Sequence, residues 1–97
     1  MANYKLTRLA TADLVIIYKF GVENFGLKSS QNYILSIETF LIELSNKKEI
    51  ARDASILVEN LKFYNYKGHV IFYEFLSDNS IRVIRVLGKR MNFKEHL

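Results

Sequence analysis

Four cations crowd into nine residues near the end of the chain: Arg82, Arg85, Lys89 and Arg90. Guanidinium and ammonium groups at this density favour an acidic partner, whether nucleic acid, an acidic protein surface or a phosphate-rich one. The whole chain leans the same way, with 14 Lys and Arg against 10 Asp and Glu and a net charge of +4. Acid–base groups are sparser. The two histidines, His69 and His96, lie far apart and lack a companion ligand pattern, so no metal site is indicated. His69 follows a glycine turn and reads as structural. Glu38 and Glu43 fall on the polar side of a helical repeat and read as a solvated face. No cysteine offers a thiolate, no glycine loop cradles a phosphate, and no serine sits in a nucleophile-elbow pattern. No cofactor is implied.

These groups must be positioned by one small domain. A chain of 97 residues buries only about two-thirds of its unfolded surface. Its core is thin, and a partner adds much to stability. No apolar run approaches the ~20 residues of a membrane span, and the start lacks a signal-peptide core. A cytoplasmic location is expected.

The patterning reads as a strand, two helices, then three strands. Asn3 to Arg8 alternates as a short strand. Thr11 is the expected cap of the first helix, with Asp13 in its first turn. Leu14, Ile17, Tyr18, Gly21, Val22 and Phe25 recur at helical spacing, and Gly26 stops the run. A second stripe, Tyr33, Ile34, Ile37, Phe40, Leu41 and Leu44, marks a helix starting between Leu27 and Ser30, antiparallel to the first. After a connector of about ten residues, Leu61–Tyr66, His69–Leu76 and Ile81–Leu87 follow as strands. Their short turns imply an antiparallel meander.

Both faces of the later strands are apolar. Ile71, Tyr73 and Phe75 oppose Val70 and Phe72; Ile81, Val83 and Leu87 oppose Ile84 and Val86. Two helices cover one face of such a sheet, which leaves the other for a partner or for the tail and connector. Val15 and Ile16 also lie off the inner stripe of the first helix. A partner-contact surface at Val15, Ile16, Tyr73 and Phe75 is therefore expected. On the last strand Arg85 shares the face of Val83 and Leu87. It must find a carboxylate, for which Glu59 and Glu74 are the candidates, or join Arg82, Lys89 and Arg90 in a contact patch.

The order of elements resembles the RelE/ParE superfamily of toxins, and its ParE branch in particular. The residues that carry the resemblance are Ala12-Asp13-Leu14, Phe25-Gly26, Tyr33, Ile50-Ala51-Arg52, Asn60-Leu61-Lys62 and His69-Val70-Ile71-Phe72-Tyr73. The ending is the most specific part: Arg85-Val86-Leu87-Gly88-Lys89-Arg90-Met91-Asn92, then His96-Leu97. Ala51, Gly88 and Asn92 depart from the family's glycine, histidine and aspartate. The resemblance implies an α+β domain: a strand, a two-helix hairpin, then a three-stranded antiparallel meander with the helices on one face of the sheet. It implies the toxin of a type II toxin–antitoxin system, neutralised by a cognate antitoxin.

Two activities run in that superfamily, poisoning of DNA gyrase and ribosome-dependent cleavage of messenger RNA. Cleavage needs a general base, a general acid and cationic stabilisation. Gly88 stands where a histidine is common and the last tyrosine is Tyr73, so the sequence leans towards a gyrase-directed binder and away from a nuclease. A non-toxic binding module of the same fold is the third reading. Direct sequence-specific binding of nucleic acid is not expected. Replacing Arg85 and Arg90 by alanine is expected to remove toxicity and leave the fold intact.

Overall fold

The computed structural model describes residues 3–97. Strand β1 (Asn3–Leu6) leads into helices α1 (Arg8–Phe25) and α2 (Leu27–Asn46). A short 3-10 turn (Lys48–Ile50) and a two-residue strand β2 (Arg52–Asp53) follow. Strands β3 (Lys62–Tyr66), β4 (His69–Phe75) and β5 (Ser80–Gly88) come next, and helix α3 (Phe93–His96) ends the chain. The sheet order is β1-β5-β4-β3-β2. The three-stranded meander is antiparallel as expected, and β1 joins β5 in parallel. Strand β2 and helix α3 are additions to the expected architecture.

Helix α1 starts one turn earlier than its sequence suggests. Thr7, not Thr11, is the cap: its Oγ1 accepts the Ala10 N–H at 3.0 Å and donates to the Ile84 carbonyl at 2.8 Å. Its N–H meets the Val83 carbonyl at 3.1 Å. One threonine thus ends β1, starts α1 and stitches both to β5, and Asp13 falls beyond the first turn. At the other end Gly26 has φ 94° and ψ 162°, a conformation that glycine alone adopts without strain. That residue lets α2 begin immediately. A Cβ at Gly21 would overlap Ser30 Oγ, so the hairpin closes tightly there, with Ser30 donating to the Tyr18 carbonyl at 2.7 Å.

The helical face of the sheet carries the main core: Leu14, Ile37, Leu41 and Leu44 against Ile71, Tyr73, Ile81, Val83 and Val86. Every member of the expected α2 stripe is buried or half-buried. Phe25, expected on the inner stripe of α1, is instead 70% exposed.

A β-bulge changes the faces of β5. Phe72 pairs with Arg85 and Tyr73 with Val83, so Ile84 is the extra residue. The alternation slips by one there. Val86, not Leu87, joins Val83 on the helical face, and Leu87 joins Ile84 on the other. The second face is also not left to a partner. The connector and the tail cover it: Ala54, Leu57 and Leu61 from one, Phe93 and Leu97 from the other, around Val70, Phe72 and Leu87. Phe93 meets Phe72 edge-on with ring centroids 5.0 Å apart.

Tyr73, expected on a contact surface, is fully buried in the core beneath the helices, and half-buried Phe75 packs on it edge-on. Its hydroxyl is buried without a hydrogen-bond partner among the described residues, and burial, with Tyr64 adding, pushes the phenol up to about 12. An unpaired buried hydroxyl costs more than it returns. Tyr73→Phe is expected to stabilise the fold by about 1 kcal/mol, read as a higher urea midpoint at an unchanged slope.

Candidate functional site

Strand β1 stops at Leu6, so β5 has no strand neighbour beyond Val83 on that side. Helix α1 fills the edge instead. Asp13, 7% exposed, accepts the Val86 N–H through Oδ2 at 3.0 Å, where a neighbouring strand would have offered a carbonyl. The same carboxylate takes Arg85 in a two-point grip, Nε to Oδ2 at 2.7 Å and Nη2 to Oδ1 at 2.8 Å. The remaining nitrogen, Nη1, donates to the His96 carbonyl at 2.8 Å. The hydrogen bond to Asp13 holds the guanidinium above its ordinary value, against burial. Arg85 therefore pairs with Asp13, and neither Glu59 nor Glu74 is its partner.

Beside this ion pair opens an apolar groove of about 1010 Å³. Ile16, Phe20 and Phe25 of α1 form one wall, Ser29, Ser30 and Tyr33 of α2 another, and Met91 and His96 close the far end. Ile16 is 65% exposed and Phe20 61%. They stand one turn apart on one face of the helix, which is the anchor spacing of a helical contact face.

The rim is cationic. Lys67, in the β3–β4 turn with φ 53°, holds its ammonium over the rings of Tyr33 and Tyr66 at 5.5 and 5.4 Å. Tyr33 Oη lies 2.8 Å from His69 Nδ1. Burial, with Tyr66 adding, pushes the Tyr33 phenol up, and burial alone pushes His69 down. Both shifts keep the groups neutral, so the two rings share a hydrogen bond with no charge on either. The pH consequence has a definite sign. The unfolded chain binds a proton at the ordinary histidine value of 6.5 that the folded chain resists. The stability held above 6.5 is lost as the pH falls through 6.5 towards the depressed folded value. Thermal unfolding between pH 7.5 and 5.5 is expected to show this loss, and His69→Asn to flatten it.

The four sequence-predicted cations do not form a single patch. Arg82 binds Glu74 at 3.2 Å across the β4–β5 pair, about 10 Å along the strand from Arg85. Arg85 is spent on Asp13, with 13% of its side chain exposed. Lys89 and Arg90 alone stand free in the turn after β5, exposed and without an ion pair among the described residues. Of the expected apolar contact residues, Ile16 lines the groove and Val15, 46% exposed, lies on the same helix outside it. Phe20, Phe25, Lys67 and Met91 are groove residues that the sequence did not single out. Phe20 carries a legible signal, since it stands four positions after Ile16 and off the inner stripe. Glu43 is exposed beside Lys47 at 4.0 Å, whereas Glu38 is half-buried. Among the described residues no three His, Asp or Glu side chains gather to hold a metal. Among the described residues no helix is long and apolar enough to cross a membrane.

Comparison with known proteins agrees with this architecture. Toxin ParE1 of Caulobacter vibrioides is 25% identical over 97 residues, covering 100% of this chain and 99% of the relative. Toxin ParE3 of the same organism is 29% identical over 91 residues, covering 94% and 90%. The solved structure described as the chromosomal ParDE TA system from P. aeruginosa shares the fold, with a TM-score of 0.69 over 91% of this chain and 96% of that one, at 18% identity. The family model for the ParE toxin of the type II toxin–antitoxin system parDE matches residues 4–93, and the chain belongs to that family of toxins.

Proposed function

We propose that this toxin arrests growth by binding DNA gyrase, and that an antitoxin neutralises it by laying an apolar segment in the groove between α1, α2 and the end of the sheet. The observation that carries the second half is the groove itself: Ile16, Phe20 and Phe25 remain exposed beside it in a chain whose second sheet face is already covered. Exposed apolar area of this kind marks an interaction site. Lys67, which lines the groove, favours acidic residues on the arriving segment. The target contact is assigned to the turn after β5, where Lys89 and Arg90 are free.

Two features support binding over RNA cleavage. The strand cations that would meet a phosphate are engaged, Arg82 with Glu74 and Arg85 with Asp13. The nearest acid–base pair, Tyr33 and His69, lines the groove but is hydrogen-bonded to itself. The test is direct. Purified protein is expected to inhibit supercoiling by gyrase, and co-expression of its antitoxin to restore growth. Codon-dependent cleavage of ribosome-bound message, with supercoiling untouched, would replace this reading with the nuclease one.

A further inference from the structure

Helix α3 has four residues, Phe93–His96, far too few to hold itself in place. Two anchors fix it. One is apolar: Phe93 and Leu97 pack into the cluster around Phe72. The other is the guanidinium of Arg85, whose Nη1 holds the His96 carbonyl while Nε and Nη2 hold Asp13. Asp13 is itself oriented by the Val86 N–H, so its aim is set by the backbone of β5. One side chain therefore ties helix α1, strand β5 and the end of the chain together. The segment between the strand and that anchor contains Lys89 and Arg90, and it supplies Met91 and His96 to the groove.

We propose that Asp13 and Arg85 are positioning residues, which hold residues 88–97 in place and thereby set both the basic turn and the end wall of the groove. Arg85 is needed for its fork and not for its charge. Lysine keeps the charge and cannot bind the carboxylate at two points while also reaching the His96 carbonyl. The inference rests on the reading that the basic turn meets the target, and on the family's toxicity.

Asp13→Asn and Arg85→Lys separate positioning from contact, because neither removes a positive charge. Phe93→Ala, which cuts the apolar anchor and leaves the ion pair, is the companion variant. Each is expected to speed tryptic cleavage after Lys89 and Arg90 by about tenfold and to raise hydrogen exchange at Glu95 and Leu97, with β4 still protected. Each is also expected to weaken growth arrest on expression. A tail as protected in Asp13→Asn as in the wild type would overturn the proposal, and so would a released tail with full growth arrest. A tail that exchanges no faster than β4, and so opens only with the whole domain, would overturn it too, since the pair would then act on the fold and not on the tail. A wild-type chain that arrests growth without inhibiting gyrase would remove the gyrase reading and leave this one standing.

Discussion

Replacing Arg85 by alanine is expected to cost about 3 kcal/mol of folding stability, while replacing Lys89 or Arg90 changes it by less than about 0.5 kcal/mol. The difference lies in what is left behind. With the guanidinium gone, the Asp13 carboxylate stays buried at 8% side-chain exposure with only the Val86 N–H to bind it. An unpaired charge in that position keeps its desolvation penalty and loses the attraction that offset it. The His96 carbonyl loses its donor as well. For a domain of this size, 3 kcal/mol lowers the melting temperature by more than about 10 °C. Urea unfolding of the three single variants checks the contrast. An Arg85→Ala protein as stable as Arg90→Ala would show that the ion pair contributes nothing. Removing both charges in Asp13→Asn with Arg85→Met is expected to recover part of the loss, because neither partner is then stranded. The grip of Asp13 on Arg85 argues against the sequence-based expectation that Arg85 and Arg90 can be truncated together without harm to the fold. Toxicity lost in that double variant would not distinguish contact from unfolding, and Lys89 with Arg90 is the pair that isolates contact.

The contrast between Arg85 and its neighbours shows where the sequence was legible. The helical hairpin could be read because Tyr33 to Leu44 repeats every three to four residues, and the meander because Lys67-Gly68 and the Ser77–Ser80 cluster punctuate it. The partner of Arg85 could not be. Asp13 lies 72 positions away, and only the early end of β1 brings α1 against β5. The bulge was equally hidden. Nothing in Ile81–Leu87 itself marks Ile84 as extra, since the slip depends on how Phe72 and Tyr73 take their partners. Covering of the second face is not legible in the sequence, because Ala54, Leu57 and Leu61 have no periodicity to announce a packed element. Irregular segments bury apolar residues through turns, as the Ala54 N–H to Leu61 carbonyl bond at 2.9 Å does here. The groove was half legible. Ile16 was visible as an apolar residue off the inner stripe, but Met91 and His96 reach it only through the fold of the tail.

The groove carries the second large prediction. Phe20→Glu is expected to weaken binding of the antitoxin segment by about 30-fold to 1,000-fold, equivalent to roughly 2–4 kcal/mol, with little change in the stability of the toxin alone. Phe20 is 61% exposed in the free chain, so a carboxylate there stays in water and strands no core group. Only when a segment closes over the groove must that charge be desolvated beside Ile16 and Phe25, both groove residues. The penalty is thus confined to the complex. Growth arrest should survive, because Lys89 and Arg90, to which the target contact is assigned, lie in the turn after β5 and Phe20 lies on α1. Lys89→Ala with Arg90→Ala should show the opposite pattern, with weak toxicity and near-normal capture by the antitoxin. Titration of both variants against the antitoxin, beside growth curves with and without it, reads the two effects separately. If Phe20→Glu binds as tightly as the wild type, the segment does not lie in this groove. If both variants lose toxicity and capture together, target and antitoxin share one surface, and neutralisation is simple competition for it.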